Sequence, residues 1–265
     1  MARVRLKPMA SSSEALTGSP PRRRHYRRHV RTIGMLGGMS WESSAEYYRL
    51  ANELVRDRLG GFHSAPCVLV SVDFAGVERL QAEGSWDEAG RVLAGHARDV
   101  EAAGADLLVL CTNTMHVVAD AVQAAIDIPL LHIADVTASA VIGAGLQQVG
   151  LLATGYTMEQ PFLVDRLASH GLTVLVPEAD DRAEVHRIIY EELVLGVVDD
   201  ESRRAYQRVV ARLVEHGAQG VVLGCTEIEL LLGAAHVDVP VFPTTRLHVE
   251  AAVDAALGAG VPTPT

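Results

Sequence analysis

The chain has 265 residues, 49% of them hydrophobic but only 5% aromatic, and a formal net charge of −10. That length carries one large domain or two modest ones, and a core of Ala, Val and Leu suits helices packed on parallel strands better than a sandwich. No apolar run approaches the ~18 residues of a spanning helix, and three cysteines form no disulfide framework, so a soluble cytoplasmic protein with reduced thiols and no membrane partner is expected.

The charge is unevenly divided. Residues 1–31 hold eight Arg and Lys7 against Glu14, a local charge of +8, which leaves −18 for the remainder. This head has no apolar periodicity and no apolar stretch of ~7–15 residues that would mark a secretory signal. A disordered basic extension is expected, and the acidic body speaks against a nucleic-acid partner. Lys7 is the sole lysine of the chain. The rest therefore offers no Schiff-base lysine, and pyridoxal-phosphate chemistry is not expected.

A first strand over 32–36 breaks at Gly37-Gly38-Met39-Ser40, and a helix over 41–58 follows with Ser40 as its N-cap. A strand over 67–73 comes after Pro66, and a helix over 85–103 stops at Gly104. The next strand, 106–111, ends in Cys111. A helix over 114–125, a short strand over 128–133 and a helix over 135–144 complete the first half. The pattern then restarts with a strand and glycine turn over 148–155 and a helix over 158–169. A strand over 172–176, helices over 183–195 and 200–216, and a strand over 220–224 lead to Cys225. A short strand over 239–242 and a helix over 246–257 close the chain.

The restart is a duplication. Gly34 precedes Cys111 by 77 residues, and Gly150 precedes Cys225 by 75. Ile128-Pro129 is echoed by Val239-Pro240. Alternating strands and helices imply parallel sheets, and right-handed crossovers place the strand C-termini along one edge, where ligands of such sheets bind. The expected fold is α/β: two similar parallel-sheet domains related by pseudo-symmetry, over 32–134 and 135–244, with the active site in the cleft between them. Cys111 and Cys225 would then face each other.

Each of these cysteines ends an apolar strand, precedes a Thr and opens a turn into a helix. A helix N-terminus lowers a thiol pKa from its free value of ~8.5. One thiolate and one thiol across a substrate could remove a proton from one face of a tetrahedral carbon and deliver one to the other. The plainer alternative is a pair of small buried residues, against which the duplication with a following Thr speaks. Cys67, without polar neighbours, reads as core. The eleven His show no paired spacing on one helix face, so no metal site is expected. The turn at Gly37-Gly38 lacks the G-x-G-x-x-G spacing. It and the turn Thr154-Gly155-Tyr156-Thr157 suit backbone N–H groups aimed at a small carboxylate. Packing of Met39, Trp41 and Tyr156 beneath these turns is the alternative.

The strings Ile33-Gly-Met-Leu-Gly-Gly-Met-Ser-Trp-Glu42, Leu110-Cys-Thr-Asn-Thr-Met-His116, Tyr156-Thr-Met-Glu-Gln160, Pro177-Glu-Ala-Asp180 and Gly224-Cys-Thr-Glu-Ile228 resemble the cofactor-independent aspartate/glutamate racemase superfamily, and within it the broad-specificity amino-acid racemase branch. The resemblance runs from Thr32 to about Leu257. It implies a racemase or epimerase that interconverts L- and D-amino acids with two cysteine bases, here Cys111 and Cys225, and without cofactor. It implies that Met39, Thr112, Asn113, Thr114, Thr154 and Thr226 hold the α-carboxylate and α-ammonium of an amino-acid substrate, and that Gln81 contacts it. It also implies that the last helix, 245–258, packs back on the first domain, with a homodimer as one allowed assembly. Members dedicated to dicarboxylic substrates carry an Arg and a Lys where this chain has Glu78 and the region of Glu184, with Arg79 and Arg182 as neighbours. A side-chain wall formed by Gln81, Glu78 and Glu184 would favour an uncharged or cationic substrate over aspartate or glutamate. Other readings are a hydantoin racemase, a maleate isomerase or a one-cysteine decarboxylase of the same superfamily, and a two-lobed amino-acid-binding protein without turnover.

Overall fold

The computed structural model describes residues 30–258. All but the last two residues of the expected basic extension lie outside them. The first half contains β1 (Ile33–Gly37), α1 (Trp41–Leu59), β2 (Cys67–Ser71), α2 (Phe74–Ala82), α3 (Trp86–Ala102) and β3 (Leu107–Leu110). After a 3₁₀ turn at Thr114–Val118 come α4 (Ala119–Gln123) and α5 (Ile133–Gly143). The second half contains β4 (Gln148–Leu152), α6 (Gly155–Glu159), α7 (Pro161–Ser169), β5 (Thr173–Leu175) and α8 (Ala179–Glu191). It continues with α9 (Asp200–Glu215), β6 (Val221–Leu223), α10 (Ile228–Leu231), β7 (Val241–Pro243) and α11 (Thr244–Leu257).

These strands form two parallel sheets, ordered β2-β1-β3 and β5-β4-β6-β7. The duplicated α/β fold read from the sequence is thus present. Each half opens with its central strand and flanks it with the next two. Gly34 pairs with Val68 and Leu108, and Gly150 pairs with Leu175 and Val221. Both glycines are required by close approach. A Cβ on Gly34 would lie 2.4 Å from Val100 Cγ1, and one on Gly150 would lie 2.8 Å from Leu213 Cδ1. A crossing helix sits on the bare centre of each sheet, α3 on the first and α9 on the second.

The halves differ at their fourth strand. β7 joins the second sheet, but the expected strand over 128–133 makes a single bridge, Leu108 to Leu130. Pro129 has no N–H to donate. The Leu130 N–H is taken by Gln123 Oε1 at 2.7 Å, and His132 Nδ1 accepts from Ala134 N at 3.2 Å, which caps α5. The bridge keeps two ladder bonds, Leu108 N to Pro129 O and Leu131 N to Leu108 O, both at 2.9 Å, and ends where α5 begins at Ile133. The expected helix over 114–125 is a 3₁₀ turn followed by five α-helical residues. The expected helix over 158–169 divides at Pro161, behind an extended Gln160. Helix α2 was not anticipated. Asp73 caps it, and its buried residues, Val77 and Gln81, lie four apart on one face.

Side chains of α11 (Val249, Ala252, Val253, Ala255 and Ala256) pack in one cluster with Ile33, Met35, Tyr47 and Leu50. Inside that layer the Tyr47 hydroxyl bonds His248 Nδ1 at 2.8 Å, and the other ring nitrogen of His248 bonds the Leu131 carbonyl at 2.8 Å. Among the described residues no helix is long and apolar enough to cross a membrane.

Candidate active site

The loops after β1, β3 and β6 close around a cavity of about 130 Å³. Eight of the residues singled out in the sequence line it: Met39 from the first turn, Gln81 from α2, Thr112, Asn113 and Thr114 after β3, Thr154 after β4, and Cys225 with Thr226 after β6. Elements distant in sequence converge here because the parallel sheets end at the same edge.

Two of the singled-out residues do not line it. Cys111 is fully buried, and its neighbour Thr112 lines the cavity in its place. Glu184 is excluded by helical phase. The cavity-facing residues of α8 are Ile189 and Tyr190, five and six positions later. At about 100° per residue Glu184 is turned away by about 120–140°, and its charge acts on Arg212 of α9 instead. The expected wall of Gln81, Glu78 and Glu184 therefore reduces to Gln81. Glu78 and Arg79 are exposed on α2 outside the cavity. Arg182 donates from Nη1 to the Pro177 carbonyl at 2.8 Å and faces Glu159 at 3.8 Å.

Phe74, beside Gln81 on α2, and Ile189, Tyr190 and Val194 also line the cavity. Among the described residues no Arg, Lys or His lines the cavity, and Glu227 is its one carboxylate. Glu227 was not assigned a role from the sequence, although it stands two residues after Cys225. Its Oε2 accepts a hydrogen bond from Cys225 Sγ at 2.8 Å.

Both thiols are held protonated. Burial pushes Cys111 far above the ordinary thiol range. Cys225 reaches the cavity but is likewise raised, first by burial and then by the adjacent Glu227. This corrects the expectation of thiols acidified by helix N-termini. The segment after Cys111 is a five-residue 3₁₀ turn, and α10 after Cys225 has four residues. So few aligned peptides carry little macrodipole, and desolvation prevails.

In each glycine turn one amide is already taken. The Gly38 N–H is consumed by Ser44 Oγ at 2.7 Å, and the Gly155 N–H by His186 Nδ1 at 3.0 Å. Neither is free for a carboxylate. Side chains at the cavity offer further groups to a ligand. Asn113 Nδ2 donates to Thr244 Oγ1 at 3.0 Å, and its Oδ1 is buried at the cavity without a partner. A buried acceptor in that condition calls for a donor. Thr114 and Thr154 each share a hydrogen bond with Thr157, at 3.1 and 3.2 Å.

The Cys111 turn is braced from behind by imidazoles. His116 Nδ1 bonds the Thr112 carbonyl at 2.8 Å, and its Nε2 accepts from the Ile133 N–H at 3.2 Å. His132 and His248 stack edge-on against it at 4.7 and 5.7 Å. Burial pushes all three pKa values down, His132 and His248 to about 4. Among the described residues no three His, Cys, Asp or Glu side chains are grouped to hold a metal ion.

The sequence profile of the Asp/Glu/hydantoin racemase family matches residues 36–252. A solved structure of a proposed Asp/Glu racemase from Yersinia pestis is 51% identical and superimposes with a TM-score of 0.82, covering 86% of this chain and 99% of its own. An aspartate racemase homologue from Pyrococcus horikoshii OT3 is 31% identical, with a TM-score of 0.78 over 85% of this chain and 99% of its own. A glutamate racemase from Francisella tularensis, solved with D-glutamate, shares 13% identity and the fold, with a TM-score of 0.60 over 89% of this chain and 85% of its own.

Proposed function

The chain belongs to the Asp/Glu/hydantoin racemase family, and from that premise we propose that it is a cofactor-independent racemase of uncharged amino acids, with Cys111 and Cys225 as the two bases. The observation that carries the substrate class is the cavity wall: one carboxylate, no cation, and an apolar face roofed by Tyr190. A side-chain carboxylate entering it would be desolvated without the charge-assisted partner that repays desolvation. The α-ammonium fits the unpartnered Asn113 Oδ1, and the α-carboxylate fits the hydroxyls of Thr112, Thr114 and Thr154.

The chemistry follows from the protonation states. With both thiols neutral, one must lose its proton before it can act as a base. Glu227 is placed to take the proton of Cys225, which leaves a thiolate and a neutral carboxyl. The incoming ammonium favours that charge arrangement. The thiolate removes the α-proton, and the Cys111 S–H protonates the opposite face, so that Cys111 ends as thiolate. The reverse direction exchanges the roles. The mechanism requires the Cys111 thiol, fully buried in this structure, to meet Cα as the cleft rearranges around substrate. The cleft walls are assigned to two domains, 32–134 completed by helix 245–258, and 135–244. A reducing, cytoplasmic setting suits a pair of working thiols.

The test is Cα exchange. The protein is incubated in deuterated water with L- and D-forms of each amino acid, and deuterium at Cα is followed together with inversion. Neutral amino acids should exchange and invert. Cys111→Ser and Cys225→Ser should each lower inversion by at least ~10³-fold while remaining folded, because a hydroxyl without a partner is too weakly acidic to replace a thiolate. A parent-like rate in either variant would sink the two-base assignment. Absence of exchange with every amino acid would leave a binding protein.

A further inference from the structure

Ser43, in the first turn of α1, touches both cysteine turns. Its Oγ donates to the Cys111 carbonyl at 3.0 Å and accepts from Thr226 Oγ1 at 3.0 Å. The residue is buried and lines the cavity. A hydroxyl has one proton. With that proton spent on Cys111 O, Ser43 can only accept from Thr226, and the direction of the whole relay is set. The Cys111 N–H is bonded to Leu36 O at 2.9 Å, so both backbone polar groups of Cys111 are fixed. The relay runs from the loop after β6, through α1, to the end of β3. It is a direct hydrogen-bonded connection between the residue after one thiol and the residue bearing the other. The middle of the relay is anchored as well: Ser43 N bonds Ser40 Oγ at 3.2 Å in the helix cap.

From this geometry we infer that Ser43 is a positioning residue, which holds the Cys111 and Cys225 turns at the separation that opposed-face proton transfer needs. The inference rests on the two-base racemase reading. It also has a consequence for Thr226. Because Thr226 gives its proton to Ser43, it meets a substrate only as an acceptor, and so serves the ammonium beside Asn113 Oδ1 rather than the carboxylate. Removing the Ser43 hydroxyl would free the two turns from each other while leaving each cysteine and its own surroundings in place. One thiol could then still abstract and return a proton on one face, while transfer to the opposite face would fail.

The experiment is a comparison of Ser43→Ala and Ser43→Thr with the parent in deuterated water, recording kcat, KM, and the ratio of Cα deuterium exchange to inversion. Ser43→Ala should lower kcat for inversion by about 10- to 100-fold, the scale of a small misplacement of reacting groups, with KM within about threefold. Its exchange-to-inversion ratio should rise at least fivefold. Ser43→Thr keeps the hydroxyl and should keep that ratio within about twofold of the parent. A folded Ser43→Ala with the parent's ratio overturns the inference, and so does Ser43→Thr with a ratio as high as that expected of Ser43→Ala, whether or not the alanine variant folds. Inversion by the parent is the control for the racemase reading. Its absence refutes that reading and the positioning role together, whereas parent inversion with an unmoved ratio refutes the positioning role alone.

Discussion

Replacing Glu227 by Gln separates two roles that predict opposite signs. In the structure Glu227 accepts the Cys225 S–H at 2.8 Å and, after burial, is the main cause of that thiol's raised pKa. Were the carboxylate only a neighbouring charge, its removal would ease formation of the thiolate. Two unit charges about 4 Å apart interact by on the order of 4 kcal/mol at an effective dielectric near 20. Thiolate formation would become easier by up to about three powers of ten, and racemisation should accelerate. Were Glu227 the acceptor of the thiol proton, Glu227→Gln would remove a positioned general base, whose worth is about 10²- to 10⁴-fold. The mechanism derived above predicts the second outcome. Inversion should fall by at least ~10²-fold in both directions, with KM for a neutral substrate little changed. Alkylation of Cys225 by a neutral reagent should meanwhile shift its pH midpoint downward, because the charge opposing the thiolate is gone. A more reactive thiol together with a slower racemase is the expected signature. A variant that racemises at or above the parent's rate would refute Glu227 as the proton acceptor.

The cavity wall makes a second prediction. Gln81→Arg places a guanidinium where no cation stands, and a charged hydrogen bond exceeds a neutral one by about 1–2 kcal/mol. The ratio of kcat/KM for aspartate to that for asparagine should rise about 5- to 30-fold, and a parent enzyme that already prefers aspartate would contradict the substrate class proposed here. The buried imidazoles make a third, on stability. His132 and His248 are pushed down to about 4 by burial, so each stays neutral in the folded protein while the unfolded chain takes up a proton below about 6.5. Stability should therefore be full above pH 6.5 and drain away as pH falls toward 4, by on the order of 3 kcal/mol per imidazole at the limit. Glu229 works against this: burial raises it to about 7, which adds stability as pH falls from 7 toward 4.5. With three buried imidazoles, His116 among them, against one partly exposed carboxyl, denaturant midpoints should fall from pH 7.5 to pH 4.5, and His248→Gln should flatten that slope. A flat profile in the parent chain would show that the imidazoles are not held neutral.

The parts of the fold that could be read in advance are those written locally and twice. Gly34 and Gly150 each mark a strand centre crossed by a helix, and Cys111 and Cys225 each mark the end of an apolar run, so both sheets and the edge that carries the site were legible. What failed was set by contacts between residues far apart or by the phase of a helix. No local pattern reveals that His132 caps a helix starting at Ile133 and so cuts the expected strand to a single bridge. None reveals that Ser44 and His186 consume the amides of the two glycine turns. The phase of α8, which spans Ala179–Glu191 in place of the expected 183–195, decides whether Glu184 or Tyr190 faces the cavity, and neither phase nor boundary is fixed by local pattern. The thiols show the same division at the level of energy. Their place in the chain was plain, but their charge is decided by desolvation in the assembled core, which outweighs the weak dipoles of a 3₁₀ turn and a four-residue helix. With Cys225 protonated at the cavity, Cys111 protonated and buried outside it, and no cation among the described residues lining it, the positive charge is left to the ligand. An α-ammonium brings it, and Asn113 Oδ1 and Glu227 are the acceptors on that wall to receive it and the proton it displaces. Under the proposed reading the site's chemistry is completed by the one group that every amino acid carries, and specificity falls to the apolar side chains Phe74, Ile189 and Val194 and to the hydrogen-bonding side chains Gln81 and Tyr190.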